Sequence, residues 1–230
     1  MRLLPRRYRF AAAVLTARLL RRYIRHTPHY AAQRPLMLDT AADIALYVVL
    51  AQLAKRGVAL DPRLRFDTDD LAAALRSGRG VLIVGTHNFL GRLLAGYLLR
   101  NGHNPMVISK WLTKPFFSTT TDRTLLKPSP TYLLTVRNEL RNGGLVCAML
   151  DRYDPTERRV RRFDTAEGPL YISDVPIRVA RLAGATILFV AAHAAEEGEI
   201  AFDIQTATSE EVVEELVAFV AKHKAIAARS

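Results

Sequence analysis

The chain has 230 residues, 50% of them hydrophobic and 24% charged, which excludes wholesale disorder and allows a core without covalent staples. A single cysteine, Cys147, excludes an internal disulfide framework and a cysteine-rich zinc site. Lys and Arg total 33 against 22 Asp and Glu, a net of +11 that points to a polyanionic partner.

Residues 1–34 hold Arg2, Arg6, Arg7, Arg9, Arg18, Arg21, Arg22, Arg25 and Arg34, with no Lys and no acid before Asp39. Those nine leave 24 basic residues against 22 acids elsewhere, a net of only +2. The charge therefore belongs to one arm. At a helical repeat Arg7, Arg18, Arg21, Arg22 and Arg25 share a narrow arc, with Ala12, Ala13, Leu19, Leu20, Tyr23 and Ile24 on the broad opposite side. The apolar run from Phe10 to Leu20 is broken by Arg18 and falls short of the ~20 residues that span a bilayer. A signal peptide fits poorly, because no small-residue cleavage site precedes Arg21 and Arg22. The pattern predicts a basic amphipathic helix on an anionic membrane surface; the alternative is a solvated basic helix packed on the body. Nucleic acid is disfavoured, since no recognised binding module is present.

In the body, residues 36–56 read as an apolar-rich helix capped by Asp39 or Thr40 and stopped by Gly57. A short helix follows Asp67-Thr68-Asp69-Asp70 and ends near Gly78. Val81-Leu82-Ile83-Val84 is a buried-strand run, broken by Gly85-Thr86-His87, and a helix follows from Asn88 to Arg100. Met106 to Ile108 is a strand, then a polar loop runs to Pro130 and a helix spans Thr131 to Asn142. Leu145 to Leu150 is a strand ending at Asp151. A long Arg- and Asp-rich loop leads to a helix near Asp174–Ala183, stopped by Gly184. Strands over 186–192 and 200–204 follow, and the last helix starts at Thr208 with Glu211 completing a capping box. Strand–helix alternation predicts an α/β fold: a single three-layer domain over 35–230 with a largely parallel sheet, preceded by the arm at 1–34.

Ligands of open α/β sheets bind beyond the carboxyl ends of the strands, so the residues just past them matter. These are Thr86 and His87, Ser109 and Lys110, and Asp151 and Arg152. A histidine at such a junction suits a general base; the alternative is a structural histidine satisfying loop backbone. His26, His29, His103, His193 and His223 carry weaker signals, and mid-strand Cys147 reads as an inert, buried thiol.

The segment Gly80-Val-Leu-Ile-Val-Gly-Thr-His87-Asn-Phe-Leu-Gly-Arg92 resembles the opening motif of the lysophospholipid acyltransferase superfamily, nearest its bacterial lipid A late acyltransferase branch. Leu140-Arg-Asn-Gly-Gly-Leu-Val and Met149-Leu150-Asp151 resemble that family's helix-to-strand step and strand end. Arg162-Phe163 resembles its Phe-Gly loop, and Val179-Ala180-Arg181-Leu182-Ala183-Gly184-Ala185 its Leu-Ala helix. The resemblance spans roughly residues 78–206. It implies transfer of a fatty acyl chain from an acyl carrier protein or acyl-CoA to a membrane-lipid hydroxyl, at the cytoplasmic face of an inner membrane. No bound cofactor or metal is implied; the acyl donor is a cosubstrate. His87 would be the base, with Lys110, Arg123, Lys127 and Arg152 as candidates for phosphate or oxyanion binding. Arg152, Arg158, Arg159, Arg161 and Arg162 would meet an acidic carrier or phosphates, or form a solvated loop.

Two positions depart from the family pattern. Arg92 stands where the motif has an acid, and Asp164 stands where its loop has glycine. An arginine one turn from His87 disfavours the imidazolium that a carboxylate would support. Asp151 is the leading surrogate acid, followed by Asp174 and Asp122. The competing reading is an inactive acyltransferase-like protein that binds lipid or an acyl partner.

Overall fold

A computed structural model describes residues 4–28, 40–58, 62–66, 68–85, 90–108, 125–126, 131–151, 160–166, 168–195 and 199–229. The expected boundary after residue 34 lies outside them. In chain order the elements are α1 (Arg6–Arg25), α2 (Ala41–Lys55), β1 (Leu64–Phe66), α3 (Asp70–Arg76), β2 (Val81–Gly85), α4 (Arg92–Arg100), β3 (Met106–Ile108) and β4 (Leu125–Leu126). Then come α5 (Tyr132–Arg141), β5 (Leu145–Met149), β6 (Val160–Thr165), β7 (Gly168–Ser173), α6 (Val175–Leu182), β8 (Thr186–Ala194), β9 (Ile200–Thr206) and α7 (Val212–Arg229).

Among the described residues, seven strands form one sheet in the order β1-β9-β8-β2-β5-β3-β4. The run β8-β2-β5-β3-β4 is parallel throughout; β9 turns back antiparallel to β8, and β1 follows β9. The α/β class with a mostly parallel sheet is therefore as expected. The central strand β2 is apolar at every position because both of its faces are covered. Val81 and Ile83 face a core built with α1, α2, α3 and α4, while Leu82 and Val84 face one built with α5, α6 and α7. Side chains alternate across a strand, so one four-residue run serves two helical layers.

Several local signals act as read. Thr40 caps α2 in a full capping box: Asp43 N–H donates to Thr40 Oγ1 at 3.1 Å, and Thr40 N–H donates to Asp43 Oδ2 at 2.7 Å. Gly184 takes a left-handed φ of 68° just past α6, a conformation only glycine adopts cheaply. Gly80 is required by contact, since a Cβ there would meet the main chain of Leu140.

Other expectations are corrected. The segment read as a loop after Asp151 contains an antiparallel hairpin, β6–β7, with Phe163 opposite Leu170. Its charged residues misled, because the two-stranded ribbon leaves Arg162 and Asp164 exposed on one face and Arg161 exposed beside Phe163 on the other. The last helix opens at Val212. The expected Thr208–Glu211 box is absent; Glu211 N–H donates to Ser209 Oγ, and Thr208 and Ser209 N–H donate to the Glu215 carboxylate. Asp70 stands in the first turn of α3, as its acid-rich start suggested, and also accepts from Thr206 N–H (2.7 Å) and Thr206 Oγ1–H (3.0 Å), stitching α3 to β9.

Helix α1 contributes to the core. Phe10, Ala13 and Ala17 are buried on the α2 side, with Val14, Leu20 and Ile24 packed around them. Among the described residues, no helix is long and apolar enough to cross a membrane.

Candidate functional site at the carboxyl ends of the parallel strands

The rim is set by register. Gly85, the last residue of β2, pairs with Met149 of β5 on one side and Val190 of β8 on the other. Leu150 N–H donates to Gly85 O at 3.1 Å, so β5 continues one rung beyond its neighbour. The chain reaches His87 two residues after Gly85 and Asp151 two residues after Met149. Next along the sheet, Ile108 of β3 pairs with Ala148 and with Leu126 of β4. Segments 86–89, 109–124, 127–130 and 152–159 leave from these rungs. His87, Lys110, Asp122, Arg123, Lys127 and Arg152 all lie outside the described residues, as does the side chain of Arg92.

Asp151 is described, and it is 6% exposed at the rim. The hairpin returns onto it: Asp151 forms an antiparallel bridge with Ile172, and Ser173 N–H donates to Leu150 O at 2.9 Å. Ser173 and Asp174 are buried beside it. Asp174 stands just before α6, where its Oδ2 accepts from Arg178 Nη2 at 2.6 Å and Nε at 3.0 Å. Thus the two leading carboxylate candidates are brought to the same edge of the sheet by β5 and β7. Carboxylates here can orient a donor such as an imidazolium or accept a proton from one.

The arginine cluster divides. Arg161 donates to Glu214 at 2.9 Å and lies over the Phe163 ring, and this bond holds Glu214 below the usual carboxylate range. Arg162 is paired with Asp164, whose hydrogen bond raises the guanidinium further. Arg158 and Arg159 lie outside the described residues. Cys147 sits in β5, where burial pushes its thiol up to about 12, so no thiolate forms near neutral pH.

The end of β8 carries two polar clusters that sequence reasoning did not single out. Asp43, 1% exposed, accepts from Ala194 N–H at 2.6 Å in addition to its capping bond. Burial raises its pKa even against these hydrogen bonds. On the other face, His223 Nδ1 approaches Asp203 Oδ2 at 3.3 Å, with His193 Nδ1 at 3.9 Å from the same oxygen. Burial, then Lys222 and His193, lower His223 to about 4, so the ring is neutral near pH 7. Its Nε2 is buried without a hydrogen-bond partner among the described residues, and the ring packs on Phe219. The sequence signal was faint: a single Asp on the face of β9 opposite Ile200, Phe202 and Ile204, near a histidine of α7. Among the described residues no group of three His, Cys, Asp or Glu side chains is arranged to hold a metal ion.

A scan against protein-family models finds none that matches this chain, and a search of curated proteins finds no match.

Proposed function

We propose that the protein transfers a fatty acyl chain from an acyl carrier protein or acyl-CoA to the hydroxyl of a membrane lipid. His87 is the general base and Asp151 the carboxylate that orients it. The observation that supports this reading is the pairing of Gly85 with Met149: β2 ends two residues before His87 in sequence, beside the strand that leads to the buried Asp151. In the reaction His87 takes the acceptor's hydroxyl proton as that oxygen attacks the thioester carbonyl. The C–S bond then breaks and the proton passes to the departing thiolate. Lys110, Arg123, Lys127 and Arg152 are assigned to lipid phosphate or the developing oxyanion. The acceptor's location makes the protein a peripheral one, working at the cytoplasmic surface of an inner membrane.

The test is acyl transfer from labelled acyl carrier protein to lipid acceptors. His87→Ala abolishes it and Arg92→Ala does not; transfer that persists in His87→Ala overturns the base assignment. A second reading, lipid or acyl-partner binding without transfer, is favoured by Arg92 at the motif's acid position. It is supported if the wild-type chain binds acyl carrier protein or lipid vesicles but turns over neither donor.

A further inference from the structure

The membrane reading assigns the whole broad apolar side of the arm to lipid, but the fold divides that side in two. One stripe of α1, Phe10, Ala13 and Ala17 with Leu20 and Ile24, is spent against α2. A second stripe faces water: Tyr8 is 50% exposed, Leu15 62%, Leu19 69% and Tyr23 71%. At 100° per residue these four fall within one arc, on the far side of the helix from Ala13 and Ala17. Along one flank of that stripe run Arg7, Arg18, Arg22 and Arg25, all exposed. Large apolar side chains held in water on one helix face mark an interaction surface.

The chemistry of the two rows selects the occupant. A second copy of α1 would bring arginine rows together with no acid in either arm to relieve them. Nucleic acid would engage the arginines but leave Leu15 and Leu19 in water. An anionic bilayer surface satisfies both: headgroup phosphates meet the arginines, and the Leu and Tyr side chains enter the interface. We propose that α1 docks on anionic lipid through Tyr8, Leu15, Leu19 and Tyr23 with the flanking arginine row, while it remains seated on α2. This deepens the membrane part of the reading above and is independent of the transfer chemistry. The body then rides about one helix diameter, ~10 Å, above the surface at a fixed tilt rather than on a free tether.

Flotation of the full chain with phosphatidylcholine vesicles, with and without phosphatidylglycerol, tests this. Leu15→Ser with Leu19→Ser lowers partition at least about tenfold on anionic vesicles. Arg18→Gln with Arg22→Gln lowers it about tenfold there and has no effect on neutral vesicles. Leu20→Ser lowers the unfolding midpoint but leaves the partition of the folded protein unchanged. Equal loss of partition in Leu20→Ser and Leu15→Ser overturns the seated geometry, because it means α1 leaves α2 and inserts its whole apolar side. A second readout, independent of how Leu20→Ser folds, comes from fluorophores on Leu15→Cys and on exposed Arg21→Cys, which lies across the helix from Leu19. A blue shift with anionic vesicles at neither position, or one at residue 21 as large as that at residue 15, overturns the docking face. A shift at residue 15 that exceeds the one at 21 supports it. His87→Ala partitions like wild type, so loss of transfer and loss of membrane docking remain separable. Binding to duplex DNA or to a second copy that persists after Leu15→Ser, with no vesicle binding, also overturns the proposal.

Discussion

At the end of β8, Asp43 has both carboxylate oxygens occupied by main-chain N–H groups, from Thr40 and Ala194. At the end of β5, Asp151 and Asp174 are equally hidden from solvent but stand at the strand ends from which segments 86–89 and 152–159 depart. Both places bury acids, yet the first is closed on itself by secondary structure. There the carboxylate serves to join α2 to β8. Burial of an acid alone therefore does not mark a reactive centre.

Three changes sharpen or break this contrast. At the β5 end, Asp151→Asn is expected to reduce transfer by about 10²–10⁴-fold, the range associated with losing an orienting carboxylate. Single-turnover rates check this, with a stability cost below that of the Asp43 change read from urea unfolding. Full activity in Asp151→Asn would remove the residue from the mechanism.

At the β8 end, Asp43→Ala is expected to cost about 2–4 kcal/mol, because two N–H donors lose their acceptor in a buried site. Asparagine is no rescue, since its amide nitrogen would face one of those donors. A cost under about 0.5 kcal/mol would break the structural assignment. Ionisation of Asp43 also carries a pH signature. Burial raises Asp43, so its contribution is fullest at acid pH and declines as pH rises through the elevated value.

His223 contributes with the opposite slope. Its folded value of about 4 lies below the ordinary 6.5, so the stability it confers is full above 6.5 and lost as pH falls toward 4. Replacing it by Gln should recover about 1–2 kcal/mol of that acid-limb loss, allowing for partial screening by solvent. Urea midpoints measured between pH 7 and 4 compare the two proteins; parallel curves would exclude the group as the source.

The parallel core was legible because β2, β3, β5 and β8 are continuous apolar runs bounded by glycine or polar residues, the pattern that burial on both faces requires. The hairpin was not, since Arg161, Arg162 and Asp164 look like solvated loop until the opposing strand is known. At the candidate site, Asp151 was identified from a strand end, whereas Asp174 was named only at a helix start and as a second-choice acid, because the strand before it reads as loop. Asp43 was visible only as part of a helix start, because its partner Ala194 is remote in the chain. The His223–Asp203 contact likewise joins a helix to a strand that local periodicity treats separately.

The chain leaves the sheet after Leu150 and comes back at Ser173, whose N–H is bonded to Leu150 O. Departure and return thus share one rung. A segment closed at its base in this way can be lengthened, shortened or exchanged at small entropic cost while the strands on either side keep their register. The β6–β7 excursion is accordingly a natural graft point, where a different substrate wall could be installed over an unaltered sheet.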